Sequence, residues 1–221
     1  MSQNNSKRLL VEGADDLFVV VGIMEHHVQW PRQKEMAPVL IEFVGSVDGI
    51  LDPIYLSTKL KESGLEILGV MIDADDQPEF RWQRFRDLCK HTISTLPEQM
   101  PPEGLIVDCL SGLRLGFWMM PDCSSSGMVE TFLRHLVPEP EGALWTHATV
   151  STDQARTHGA RYRDVHTHKA LVHTWLSWQD PPGERLGIAL TKKIFDSQAP
   201  AARKFVNWFI QLYKLRRLDD A

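Results

Sequence analysis

The sequence predicts an α/β fold, a mostly parallel sheet flanked by helices, with a helical extension at its C-terminal end. Three observations carry that expectation. Short apolar runs alternate with amphipathic segments over the first two-thirds of the chain, the pattern of strand–helix–strand units. One run, "LEILGVMID" at 65–73, is apolar almost throughout, as a strand covered on both faces must be. After "VPEPEG" at 137–142 the strand pattern stops, and helical spacing continues to the end.

The elements follow in order. The polar start "MSQNNSKR" has no apolar segment of the kind a secretion signal needs, and residues 1–8 read as a disordered arm. "RLLVEG" is a short strand closed by Gly13. "ADDLFVVVGIMEHHVQW" is long enough for one helix, with Asp15 or Asp16 charging its first turn and His26-His27 at its exposed end. "VLIEFVG" gives a second strand. "ILDPIYLSTKLKESG" gives a helix with Gly64 as its stop signal. The strand at 65–73 is followed by the helix "PEFRWQRFRDLCKHTI", whose Phe80, Phe85, Leu88 and Cys89 offer an apolar face. "GLIVDCL" and "RLGFWMMPD" are two further strands separated by Ser111-Gly112, and "GMVETFLRHLV" is a helix. These elements make an α/β domain over 9–137. In 138–221, helical patterns fall near 148–157, 166–178, 187–195 and 200–215, with "DPPGE" as a break. The last carries Phe205, Trp208, Phe209 and Leu212 at helical spacing, so this extension is expected to pack on the core.

Composition narrows the function classes. The 221 residues suffice for one sizeable domain, and no apolar run approaches the roughly twenty residues of a membrane span. A net charge of −5 argues against a wholly basic nucleic-acid coat, though not against a local basic groove. Cys89, Cys109 and Cys123 lack CxxC spacing and read as reduced thiols of a cytoplasmic protein. Trp82, Trp118, Trp175, Trp178 and Trp208 all lie within apolar patterns, which favours core packing over base stacking.

The acids are the chemical signal. "LLVEGADD" and "GVMIDADD" each end an apolar run in carboxylates, so Glu12, Asp73 and Asp75 fall at the carboxyl ends of strands, where ligands of such sheets bind. In extended geometry Asp73 and Asp75 point to the same side. Two carboxylates about 4 Å apart repel by roughly 1 to 4 kcal/mol, depending on how wet the site is. Either one takes up a proton or a divalent cation sits between them, and an all-oxygen set suits Mg²⁺ or Mn²⁺. The alternative for any single acid is a turn former or helix cap, and for Asp16 that role weighs equally.

The ordered pair "VEGADD" and "IDADD" resembles the two signature motifs of Toprim domains: a strand-terminal Glu-Gly, then Asp-x-Asp ending a later strand. The similarity extends to "EFRWQRFRDL", "GFWMMPDCSSSGMVETFL" and, more loosely, "HKALVHTWLSWQDPPG", and is nearest to small bacterial stand-alone Toprim proteins related to the OLD-family nucleases. The resemblance implies a Toprim-type, Rossmann-like fold and Mg²⁺-dependent hydrolysis of DNA or RNA. It implies that Glu12 is the metal-linked or proton-transferring acid, that Asp73 and Asp75 are ligands, and that Glu130 holds a second ion. Asp16 and Asp122 become secondary ligands, and Lys169 the cation that steadies the transition state.

Among the basic residues, Lys169 and His173 share a helix face, while His166 and His168 fit a solvated surface. A zinc site would need Cys/His pairs that this stretch lacks. Arg81, Arg84 and Arg86 are placed to contact phosphates or to pair with Glu79 and Asp87. A second expectation is a weakly active or non-catalytic subunit. Many OLD-type relatives work with an ATPase, some in defence-type systems, and this chain has no GxxxxGK[ST] loop of its own, so that ATPase would be a separate partner. A receiver-like phosphotransfer domain ranks last, since it wants a lone Asp and a later lysine where this chain has Glu-Gly.

Overall fold

The computed structural model describes residues 6–31, 33–93 and 95–220. In chain order the elements are β1 (Lys7–Val11), α1 (Ala14–Met24), β2 (Leu40–Phe43), α2 (Val47–Ile50), α3 (Pro53–Lys59), β3 (Ile67–Asp73), α4 (Pro78–Cys89), β4 (Leu105–Asp108), β5 (Arg114–Met120) and α5 (Val129–Arg134). Four helices follow: α6 (Gly142–Thr157), α7 (Thr167–Leu176), α8 (Leu186–Thr191) and α9 (Pro200–Tyr213). The strands form one sheet in the order β2-β1-β3-β5-β4, parallel except for β4, which runs antiparallel to β5. The fold is therefore the expected α/β class. Its antiparallel member has a simple cause: residues 109–113 are too few for a crossover, so the chain turns back through Gly112 (φ 85°) as a hairpin.

The sheet is buried on both faces. Leu9, Val11 and Met71 point into a core shared with α1, α5 and α7–α9, while Leu10, Val70 and Ile72 point into one shared with α2–α4. α9 lies across β3 and β5, where Gly69 and Gly116 pair side by side. A methyl group on either would collide with Tyr213 or Leu212, so the two glycines form the seat of that helix. Phe205, Trp208, Phe209, Leu212 and Tyr213 are buried there, each contributing about 1.5–3 kcal/mol. Tyr213 also donates from its hydroxyl to the carbonyl of Arg8 at 2.7 Å. The fully buried core includes Trp118, Trp175 and Trp208. No helix of the described residues is long and apolar enough to cross a membrane.

Several local expectations need correcting. Of the arm expected at 1–8, residues 1–5 lie outside the described residues, and β1 already includes Lys7 and Arg8. The helix expected over 14–30 stops at Met24, and His26 and His27 are not an exposed end. His26 bonds the carbonyl of Leu190 at 3.0 Å and His27, buried, that of Ser197 at 2.9 Å, because the C-terminal segment wraps back to bridge Val28 with Arg217. The helix expected over 50–64 is two: Asp52 accepts hydrogen bonds from Ile54 and Tyr55 and starts a new helix at Pro53. Phe80 is 57% exposed and leaves the apolar face to Trp82, Phe85 and Cys89. Trp178 is 41% exposed and stacks on His147 instead of joining the core.

Candidate functional site

The chain leaves β1 for β2 on one side and returns to β3 on the other. The connections therefore diverge above the carboxyl ends of β1 and β3, opening a crevice at this switch point. Glu12 follows β1 and Asp73 closes β3, so both stand at its floor. Glu12 Oε1 accepts the backbone N–H of Asp73 at 2.8 Å, and Asp73 Oδ1 accepts that of Val129, the first residue of α5, at 3.0 Å. Those two bonds tie β1, β3 and α5 together through carboxylates.

The neighbouring acids arrive by separate local devices. Gly13, in extended backbone, caps α1 and donates to Asp16 Oδ2 at 2.7 Å, so Asp16 serves as helix cap and lies 8% exposed beside Glu12. Glu130 sits in the first turn of α5 at 4% exposure. Lys169, from α7, reaches it at 3.5 Å and also reaches Asp15 Oδ2 at 3.3 Å. Asp75 is two residues past the end of β3, where extended geometry has ceased. Its φ is 51°, it exchanges two backbone hydrogen bonds with Gly127 (2.8 and 2.6 Å), and its Oδ2 takes Arg81 Nη2 at 2.8 Å. The expectation that Asp73 and Asp75 share one direction as strand neighbours therefore fails: Asp75 is placed by a left-handed turn.

The electrostatics show acids in excess. Burial pushes Glu12 up to about 7, against the pull of the Asp73 N–H, and Asp16 and Asp75 push it further. Burial likewise raises Asp16 to about 6, with Glu130 and Asp15 adding to the effect. Asp73 is held well above the usual carboxylate range by loss of water and then by Asp16, Glu12, Glu130 and Asp75 together. Burial pulls Lys169 down, but Glu130 and Asp15 outweigh it and keep its ammonium more firmly protonated than usual.

Six of the seven residues singled out from sequence belong to this group: Glu12, Asp16, Asp73, Asp75, Glu130 and Lys169. Asp122 does not join them. Its carboxylate accepts four hydrogen bonds from Ser124 and Ser125, which outweigh burial and hold it below the usual range, so it closes its own loop. Arg84 pairs with Asp48 and Arg86 bonds Gln83; neither takes the expected partner. Asp15, expected only to charge a helix turn, and Arg81, expected to contact phosphates or pair with Glu79 or Asp87, join the charge set through Lys169 and Asp75. Arg81 is a candidate because it lies in the turn of helix that directly follows the acids, but its partner is Asp75. The partner of Asp15 gives no local signal, because Lys169 is 154 positions away. The three cysteines are free and buried, and burial pushes all of their thiols up, to about 11 or 12.

Among the described residues no three His, Cys, Asp or Glu side chains stand close enough to hold a metal ion without moving. The donor chemistry still fits a hard divalent cation: every donor is an oxygen, and the carboxylates repel one another in a way that bound positive charge would relieve.

A family model described as "Protein of unknown function (DUF3226)" matches residues 6–214. No curated protein matches the chain, and no solved structure does.

Proposed function

We propose that this chain, which belongs to the DUF3226 family, is a metal-dependent nuclease that hydrolyses phosphodiester bonds of DNA or RNA. One observation carries the reading. Five carboxylates from three chain segments gather at the switch point of a parallel sheet, and three of them, Glu12, Asp16 and Asp73, hold protons more tightly than usual, first through burial and then through the neighbouring acids. Groups in that state favour whichever cation will neutralise them. The resemblance of "VEGADD" and "IDADD" to Toprim motifs supports the same chemistry.

Glu12 and Asp73 would hold Mg²⁺ or Mn²⁺, with Asp16, Glu130 and Asp75 completing its surroundings. When bound, the cation would polarise a phosphoryl oxygen and acidify a coordinated water. Glu12, raised to about 7 before a cation binds, can release its proton near neutral pH as the cation takes its place. Lys169, oriented by Glu130 and Asp15, can meet charge that develops on the phosphate oxygens. Gly13 and Asp16 keep the start of α1 against the crevice, which fixes Glu12 relative to β3.

The test is cleavage of supercoiled plasmid and of structured RNA with Mg²⁺ or Mn²⁺, comparing wild type with Asp73→Ala. Cleavage by the wild type alone is expected; equal cleavage by both, or by neither, removes the proposal. The second reading, a subunit with little activity until a separate ATPase partner engages it, draws on Arg81 and Lys169, which already occupy Asp75 and Glu130. Co-purification with an ATPase, together with cleavage only in its presence, would select it.

A further inference from the structure

Arg81 differs from the other arginines of α4. Arg84 is committed to Asp48 and to the carbonyl of Leu51, and Arg86 to Gln83. Arg81 reaches the acids: its Nη2 donates to Asp75 at 2.8 Å, and its charge acts on Glu12 as well. Its side chain is 16% exposed, and its Nε, like those of Arg86 and Arg114, is buried with no acceptor, but among the described residues only Arg81 carries this free donor beside the acids. A buried donor without an acceptor is uncommon and calls for one.

Asp75 is built the other way round. Its backbone is fixed by the paired hydrogen bonds to Gly127, while its carboxylate is 41% exposed. Side-chain rotation alone can therefore move that carboxylate from Arg81 toward Asp73 without disturbing the turn. The partly exposed pair is weakly held, whereas a divalent cation shared with Asp73 or Glu12 draws on two or more carboxylates at once.

We infer that Arg81 is an exchangeable counter-ion: it holds Asp75 while the crevice lacks a cation, yields that carboxylate to the cation, and turns its guanidinium to the phosphate chain of the substrate. The inference rests on the nuclease reading and adds a substrate-binding residue and an order of events to it. The planar fork of arginine suits phosphate oxygens, and the unsatisfied Nε supplies one of the two parallel donors that such a contact uses. The exchange also keeps the acids partly compensated before the cation arrives, which limits the repulsion among them.

This arrangement predicts effects of opposite sign from one substitution. Mn²⁺ affinity is measured by calorimetry, and binding of a fluorescein-labelled single-stranded oligonucleotide by anisotropy, with Ca²⁺ in place of Mn²⁺ to suppress turnover. Arg81→Gln is expected to bind Mn²⁺ about threefold to tenfold more tightly, because its competitor is gone. It is expected to bind the oligonucleotide about tenfold more weakly. Arg81→Lys, which keeps the charge but not the fork, lies between wild type and Arg81→Gln in both measurements and guards against a variant that does not fold. A staple that merely ties α4 to β3 gives a different result: both affinities fall together, or neither moves, and either outcome overturns the inference while leaving the nuclease reading standing. A wild type that takes up no Mn²⁺, with Asp73→Asn equally inert, overturns both.

Discussion

Two groups of acids lie on the same sheet and are compensated in opposite ways. On the α3 side, Glu42 and Glu62 meet Arg8 and Lys59: Arg8 lies 3.3 Å from Glu42 and 2.6 Å from Glu62, and Lys59 lies 2.9 and 3.5 Å from the same two. Two cations serve two carboxylates, and neither Glu42 nor Glu62 is left to repel the other. Burial pulls Lys59 down, but Glu42 more than restores it, so the group is closed. In the crevice between β1 and β3, Arg81 and Lys169 serve Glu12, Asp15, Asp16, Asp73, Asp75 and Glu130, and three of those acids carry raised proton affinity. The contrast separates charge that stabilises a fold from charge that, on the proposed function, waits for a cation. The first is balanced within the chain; the second is not.

The largest effect that sharpens this contrast is expected at Asp73. Asparagine there keeps the acceptor for the Val129 N–H but removes a charge that four neighbouring carboxylates oppose. Asp73→Asn should lower metal-dependent cleavage by about a thousandfold, measured as initial rate. In chemical denaturation with EDTA at about pH 8 it should also be more stable than wild type, by about 1–2 kcal/mol. A loss of stability in that variant would mean that the carboxylate is a structural partner like Glu42.

The same imbalance makes stability depend on pH in a direction opposite to that of paired acids. Glu12 is raised from 4.5 to about 7, so between those values the folded state binds more protons than the unfolded chain. Unfolding free energy in EDTA should therefore fall as pH rises through that window, on the order of 3 kcal/mol from Glu12 at most. Asp16 contributes in the same direction between 3.8 and about 6. With saturating Mg²⁺ the decline should flatten, because bound cation replaces the proton; denaturant titrations across the window, with and without Mg²⁺, measure the difference.

The balanced group behaves in reverse. Glu42→Gln leaves Arg8, with a side chain only 10% exposed, short of one carboxylate, and should destabilise the protein by about 1–2 kcal/mol while leaving cleavage unchanged. The smallest effect belongs to Asp122. Its partners are Ser124 and Ser125, outside the crevice group, so Asp122→Asn should change the cleavage rate by less than about threefold.

Much of this layout is legible in the residues, for reasons that differ by element. β3 declares itself because a strand covered by helices on both faces needs apolar residues at every position, and Ile67–Ile72 supplies them. α9 declares itself through the spacing of Phe205, Trp208, Phe209 and Leu212. Glu12 and Asp73 follow from the end points of those strands. What escapes is set by contacts between distant parts of the chain. His27 looks like a polar helix end until Ser197 and the segment near Arg217 cover it. The direction of Asp75 depends on Gly127, more than fifty positions later, and the ion pair of Lys169 with Asp15 spans still more of the sequence. Asp122 is expected to be a secondary ligand from its place in "MMPDCSSSGM", yet Ser124 and Ser125 satisfy it locally.

The central claim is that the acids between β1 and β3 share a divalent cation. Anomalous diffraction from crystals soaked in Mn²⁺ tests it most directly. The account predicts a peak about 2 Å from carboxylate oxygens of both Glu12 and Asp73, with Asp75 turned toward it and away from Arg81. A well-ordered crevice with no peak, and with Arg81 still bound to Asp75, would contradict it.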